Sequence, residues 1–201
     1  MHTTINYLAL GDSYTIGETV DVKQRFPQLI IESLSRKSIQ VGGHHLVAKT
    51  GWTVEELETG IQNRKDLLNE YDLVTLLIGV NNQYRGHQTT VYEEQFPNIL
   101  NKAIQFAGGK PQHVIVVSIP DYAYTPFGGL KPEISQGIDA YNKINRHFAI
   151  QAGTHYVDIT PISREDSHSG WVARDALHPS ANQYQAWVNE IMRNVKWEEL
   201  F

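Results

Sequence analysis

Residues 72–82 read Asp72-Leu73-Val74-Thr75-Leu76-Leu77-Ile78-Gly79-Val80-Asn81-Asn82. The first seven form a nearly continuous apolar run. A strand with one wet face alternates apolar and polar residues, whereas a strand covered on both faces does not. The run therefore predicts a central strand of a sheet sandwiched between helices, cut off sharply at Gly79. Two other stretches read the same way. Ile5 to Leu10 ends at Gly11-Asp12-Ser13, and His113 to Ile119 (HVIVVSI) ends at Pro120-Asp121. His45 to Lys49, ending at Thr50-Gly51-Trp52, and His155 to Asp158 complete five short strands.

Helical spacing fills the intervals. Phe26, Leu29, Ile30 and Leu34 recur at helical period, with Pro27 in the first turn. Thr53 followed by Glu56 is a capping-box pattern opening a helix over 54–68, with Leu57, Ile61 and Leu68 as its buried stripe. Tyr92, Phe96, Leu100 and Ile104 mark a helix over 91–106, in which Pro97 predicts a kink or a break. Ile138, Tyr141, Ile144 and Phe148 mark another over 134–149, and a closing helix covers 180–195. The stretches 121–133 and 160–177 lack a period and read as loops, and Asn81-Asn82 alone reads as an Asx-rich turn. Strand and helix alternate about five times, which predicts a three-layer α/β fold with a mostly parallel sheet and helices on both faces.

Composition excludes several classes. The chain has 201 residues, 41% hydrophobic and 19% charged, the balance of an ordinary globular protein of about one domain. Its formal charge of -5 argues against a surface built to neutralise phosphates. Between Arg164 and Arg174, Glu165 and Asp166 interrupt any basic stripe, and Asp175 follows, so no nucleic acid partner is expected. With no cysteine, thiolate nucleophiles and Cys-ligated metals are impossible. His44 and His45 point to opposite faces of a strand, which is a poor arrangement for two metal ligands. His87, His113, His147, His155 and His168 show no ligand spacing with acidic neighbours, and His2 is expected to fray with the terminus. No metal and no cofactor are therefore expected. The segment Gly11-Asp12-Ser13-Tyr14-Thr15-Ile16-Gly17 lacks the ending of a phosphate loop and the spacing of a dinucleotide fingerprint. No run is long and apolar enough to span a membrane, and the N-terminus lacks a basic leader, so a cytoplasmic location is expected.

In an open α/β sheet, ligands bind beyond the carboxyl ends of the strands. The residues that fall there are Gly11-Asp12-Ser13-Tyr14, Gly51, and Gly79-Val80-Asn81-Asn82, joined near the C-terminus by Asp175-Ala176-Leu177-His178. Singly, each has a plain reading. Ser13 is a turn or cap residue, the glycines are turn glycines, and Asp175 and His178 are a helix-start cap and a surface residue. Together and in this order they offer a serine, an imidazole to take its proton and a carboxylate to hold the imidazole. Asp175 lies three residues before His178, within reach of a single turn. Asp12 is expected to brace the nucleophile turn rather than serve as the triad acid. There is no Gly-x-Ser-x-Gly elbow, which disfavours an α/β-hydrolase.

The four blocks, in this order and spanning residues 11 to 179, resemble those of the SGNH hydrolases, the GDSL esterase and lipase family. Two positions depart from the pattern. Tyr14 stands where the family often has Leu, and Asn82 stands where it has Asp. The resemblance implies one SGNH-hydrolase-like domain over 1–201 with a flavodoxin-like fold, its five strands ordered 2-1-3-4-5. It implies hydrolysis of carboxylic esters with Ser13 as nucleophile, His178 as base and Asp175 as its orienting acid. It places the oxyanion in a hole formed by the Ser13 and Gly51 backbone N–H groups and the Asn81 amide. Tyr84, Arg85, Tyr122, Tyr124, Phe127 and Trp171 are candidates for the cleft walls. A small, soluble ester with a short acyl group is the expected substrate. A carbohydrate acetyl ester, a lysophospholipid or a thioester is the alternative, and a non-catalytic binding protein on the same scaffold is the alternative of another class.

Overall fold

The structure, a computed structural model, describes residues 3–165 and 170–201. His2, Asp166 and His168 lie outside the described residues. In chain order the elements are β1 (Thr3–Gly11), α1 (Ser13–Ile16), α2 (Phe26–Ser35), β2 (Ile39–Ala48), α3 (Val54–Asn63), β3 (Leu73–Leu77), α4 (Val80–Tyr84), α5 (Thr89–Phe106), β4 (Val114–Val117), α6 (Pro132–Ala152), β5 (His155–Val157), α7 (Thr160–Ser163), α8 (Ala181–Asn194) and α9 (Trp197–Leu200). The five strands form one sheet in the order β2-β1-β3-β4-β5, every pairing parallel. This is the expected flavodoxin-like order.

Burial shows why the central strands read as apolar runs. Successive side chains of a strand point to opposite faces, yet Tyr7, Leu8, Ala9 and Leu10 of β1 and all of β3 are buried. Both faces of the sheet are therefore covered. Helix α2 packs against α8 on one side, while α5 packs against α3 and α6. Inside the sheet, the Tyr7 hydroxyl and Thr75 Oγ1 on adjacent strands hydrogen-bond at 2.8 Å, which satisfies two buried polar groups.

Several boundaries differ from expectation. Strand β2 begins at Ile39, six residues before the predicted start. Its register against β1 shifts at Ile5/Asn6, where Val41 and Gly43 pair and Gly42 is passed over. That bulge and the two adjacent glycines conceal the strand's first half from any period-2 reading. Helix α3 ends at Asn63, and Leu68, expected in its stripe, is 38% exposed beyond it. Helix α5 runs through Pro97 without a break. The carbonyl that Pro97 leaves without an amide donor belongs to Glu93, an exposed residue, so the gap in the helix ladder does not fall on a buried residue. Asn81 and Asn82 sit in helix α4, not in an Asx turn, and α7 lies inside the stretch read as loop.

The end of β1 is tightly constrained. Gly11 pairs with Leu77 of β3, and a methyl group on Gly11 would overlap the Leu77 carbonyl and the Thr15 hydroxyl. One of these contacts is backbone, so no side-chain rotation relieves it. Gly11→Ala is expected to lower stability by about 2 to 3 kcal/mol, measured as the shift in urea midpoint at constant slope. A midpoint equal to that of the parent would show that the strand ends have room to part.

Candidate active site

Beyond Gly11 the chain turns into α1, with Asp12 as its N-cap. Asp12 Oδ1 accepts the Tyr14 N–H at 3.0 Å, which places Ser13 at the first helical position. The N–H groups of a helix's first turn have no intrahelical partner, so the Ser13 N–H is available to a ligand. From the far end of the chain, the Tyr184 hydroxyl of α8 donates to the Tyr14 carbonyl at 2.9 Å and ties this turn down. Asp12 is completely buried, and burial pushes its carboxyl from an ordinary 3.8 up to about 7, against the Tyr14 N–H that favours the carboxylate.

Asp175 folds back on His178 as the three-residue spacing allows. Its Oδ1 accepts the N–H groups of Leu177 at 3.1 Å and His178 at 3.0 Å, and its Oδ2 lies 2.5 Å from His178 Nδ1. Partial burial works to raise the Asp175 carboxyl. The His178 side chain and these two N–H groups outweigh it and hold the group below the usual carboxylate range. The turn needs a positive φ of 65° at Ala176. A bridge between Val172 and Pro179, with Ala173 N–H donating to the His178 carbonyl at 2.7 Å, holds the loop from behind. The His178 ring, nearly buried, tilts against the Tyr14 ring with centroids 5.4 Å apart. Ser13 and His178 face one cavity. No hydrogen bond joins their side chains in this geometry, and such bonds are often long in enzymes without substrate.

The opposite rim is the turn Lys49–Trp52, closed by Trp52 N–H donating to the Lys49 carbonyl at 3.2 Å. Gly51 has φ +83°, the positive value that a type II turn requires at its third residue. Asn81, the second residue of α4, donates from Nδ2 to the Trp52 carbonyl at 3.0 Å and reaches Asp12 Oδ2 at 3.5 Å. Asn82 faces elsewhere. It is fully buried, and its Oδ1 accepts the Val54 N–H at 3.1 Å, capping α3 together with Thr53.

The structure thus gathers Ser13, Gly51, Asn81 and His178 around one cavity of about 280 Å³. Of the six wall candidates, Tyr84, Tyr122 and Phe127 line it as an aromatic cluster with centroids 6.1 to 6.4 Å apart. The other three do not. The Trp171 indole N–H donates to the Ile162 carbonyl at 2.9 Å and anchors the histidine loop. Tyr124 borders a separate hollow with Leu130 and Pro132. Arg85 points behind Gly51, donating to its carbonyl at 2.5 Å. Thr50, Val80 and Leu177 also line the cavity and were not singled out. Their signal was adjacency, since each flanks a block residue. Among the described residues no Lys, Arg, Asp or Glu lines the cavity.

A family model described as the GDSL-like lipase/acylhydrolase family matches residues 9–186. The chain belongs to this family. It is accordingly a carboxylic ester hydrolase. Among solved structures, it is similar to a lipase/acylhydrolase from Enterococcus faecalis, with TM-score 0.75, 19% identity, and coverage of 98% of this chain and 96% of the other. The acetylxylan esterase Axe2 from Geobacillus stearothermophilus gives TM-score 0.73 at 17% identity, covering 98% and 97%. A structure of TesA gives 0.71 at 18% identity, covering 99% and 100%. At such identities these likenesses speak for the fold. Among curated protein sequences none matches this chain. No helix among the described residues of this GDSL-family chain is long and apolar enough to cross a membrane.

The raised Asp12 carboxyl has a consequence for stability. Its folded-state value lies above its unfolded one, so the folded chain holds the proton more tightly. That contribution favours folding at acid pH and is lost as pH rises from about 4 to about 7. Asp12→Asn removes the titration. The stability of the variant relative to the parent is expected to rise by a few kcal/mol across this window and then stay flat. Urea melts at intervals from pH 4 to 8 measure it. A difference independent of pH would show that Asp12 does not carry a raised carboxyl.

Proposed function

We propose that this ester hydrolase works through a Ser13–His178–Asp175 triad and an acyl-enzyme. The observation that carries the reading is the His178 Nδ1–Asp175 Oδ2 pairing at 2.5 Å, on a cavity that also holds Ser13, Gly51 and Asn81. A serine hydroxyl becomes an effective nucleophile when an imidazole takes its proton. Asp175 holds Nδ1 protonated, which leaves Nε2 free as the base. Ser13 Oγ attacks the ester carbonyl, and its proton passes to Nε2. The electron pair of the C=O bond moves to the oxygen, which receives hydrogen bonds from the Ser13 and Gly51 N–H groups and from Asn81 Nδ2. For this, Asn81 Nδ2 gives up its 3.5 Å contact to Asp12 Oδ2 and keeps its bond to the Trp52 carbonyl. The tetrahedral adduct collapses, and the alcohol leaves with the proton from Nε2. Water, giving its proton to the same nitrogen, adds to the acyl carbon; the bond to Ser13 Oγ then breaks, Oγ takes the proton back from Nε2, and the acid leaves. Every step uses groups of this chain, and none calls on a metal ion or cofactor.

The cavity supports a small, neutral ester. About 280 Å³ lies at the low end of ligand pockets, and its lining carries apolar and neutral polar side chains. The wall of Tyr84, Tyr122 and Phe127 suits a short acyl chain. Tyr84 and Phe127 are 60% and 51% exposed, so their rings also offer faces to a sugar. That observation favours a carbohydrate acetyl ester as the second reading.

Ser13→Ala is expected to lose at least about 10³-fold in kcat while keeping its circular dichroism spectrum. Parent-like turnover in a purified sample would remove the triad. On p-nitrophenyl esters, kcat/KM of the parent is expected to peak between about two and six acyl carbons, the span such a wall covers. A steady rise to twelve carbons would contradict it. Acetylated xylo-oligosaccharide, lysophospholipid and acyl-CoA run beside them separate the alternatives.

The two asparagines separate chemistry from scaffold. Asn81→Ala is expected to lower kcat by about 10² to 10³ with KM little changed. Asn82→Ala leaves the buried Val54 N–H without its acceptor, so it should cost about 1 to 3 kcal/mol of stability and less kcat. A larger kcat loss in Asn82→Ala at equal folding would place the oxyanion donor one residue later.

A further inference from the structure

We propose that Arg85 is a positioning residue for the oxyanion hole, holding the Gly51 donor in place from behind. The inference rests on the reading of Gly51 as an oxyanion donor. Arg85 follows directly on α4 and never enters the cavity. Its Nη2 donates to the Gly51 carbonyl at 2.5 Å and lies 3.2 Å from Glu56 Oε2. That same Glu56 oxygen accepts the Thr53 N–H at 2.8 Å in the capping box of α3. The guanidinium therefore links the turn that carries Gly51 to the start of the next helix.

Glycine is where such a link matters. With no Cβ, Gly51 exchanges between positive and negative φ at little cost, so the direction of its N–H is soft unless the neighbouring peptide units are fixed. The unit joining Gly51 to Trp52 is held at both ends, its carbonyl by Arg85 and its N–H by the Lys49 carbonyl. On the other side, the Thr50 hydroxyl bonds to Glu18. Of these, the Arg85 bond alone falls on Gly51 itself, and it is charge-assisted. Helix α4 thus serves both rim donors. Its second residue is Asn81, and the residue after its end fixes Gly51. An oxyanion donor is useful only when it is aimed before the charge develops. Loosening it should raise the barrier without weakening substrate binding.

The test is Arg85→Ala, with kcat counted per active site by titration with a serine-reactive phosphonate. The expected result is a kcat about 10- to 100-fold lower, with KM within about twofold. Guanidinium chloride at low millimolar concentration, far below denaturing levels, should restore part of the kcat of Arg85→Ala and leave the parent unchanged. A parent-like kcat, a change confined to KM, or a loss that guanidinium does not relieve would overturn the proposal. Should Arg85→Ala fail to fold, Arg85→Lys decides. Its ammonium lacks the planar fork, so a lower kcat at constant KM supports the brace and a full kcat overturns it. Ser13→Ala run in parallel keeps the two readings apart. Activity surviving there removes the triad itself, whereas a dead Ser13→Ala beside a normal Arg85→Ala removes only the brace.

Discussion

The parallel pairing of β1 with β3 fixes the edge of the sheet at which Ser13 and Asn81 meet. Gly11 lies opposite Leu77, so both strands end at the same edge of the sheet. Ser13 follows the first strand by two residues, and Asn81 follows the second by four. The crossover rules of a parallel sheet then force each chain into a helix at once, which turns backbone N–H groups toward that edge. Close approach of the two backbones is what admits only glycine at position 11. Ser13 and Asn81 converge because two strands cannot be paired without bringing their ends together. The loop that carries Asp175 and His178 reaches the same edge through α8, whose Tyr184 bonds to Tyr14.

The fold was legible where strands were buried on both faces and helices carried a clean stripe. β1, β3 and β4 announce themselves as apolar runs, and the block residues stand just past their ends. The unread parts have specific causes. β2 is half hidden because Gly42 and Gly43 give no periodic signal and the strand bulges there. α4 was invisible because five residues are too few for a period, and Asn81-Asn82 carries turn chemistry. The order of the blocks pointed to Ser13, Gly51, Asn81 and His178, which line one cavity, whereas only three of the six wall candidates, Tyr84, Tyr122 and Phe127, line it. Sequence proximity to a block residue cannot tell a side chain that enters the cavity from one that braces it. Tyr84 and Arg85 are neighbours, yet the first lines the cavity and the second holds Gly51 from outside.

Two carboxylates beside the cavity illustrate how environment sets charge. Asp12 is sealed from water and receives too little hydrogen bonding to offset its burial, so its carboxyl is pushed up. Asp175 is partly exposed and receives two N–H groups and the imidazole, so it stays charged. A charged partner is what an imidazolium requires in the transition state. Asp12 lies one residue from Ser13 in the chain, and Asp175 lies far from it. Only the second is hydrogen-bonded to His178, so proximity in sequence to Ser13 does not tell which carboxylate meets the imidazole.

Ala176 shows what this arrangement demands of the backbone. A non-glycine residue at φ 65° is strained by about 1 kcal/mol or more. Here the strained residue lies between the two that must meet, Asp175 and His178. An extended connection would carry the carboxylate away from the ring, whereas the left-handed turn returns Oδ2 to the ring and Oδ1 to the backbone N–H groups of Leu177 and His178. The strain is held by its surroundings. Phe127 N–H donates to the Ala176 carbonyl at 3.0 Å, and Ala176 N–H donates to the Ala173 carbonyl at the same distance. Phe127 also lines the cavity. One peptide unit of the aromatic wall therefore helps hold the turn that pairs Asp175 with His178, so the wall and the histidine loop are parts of a single braced system.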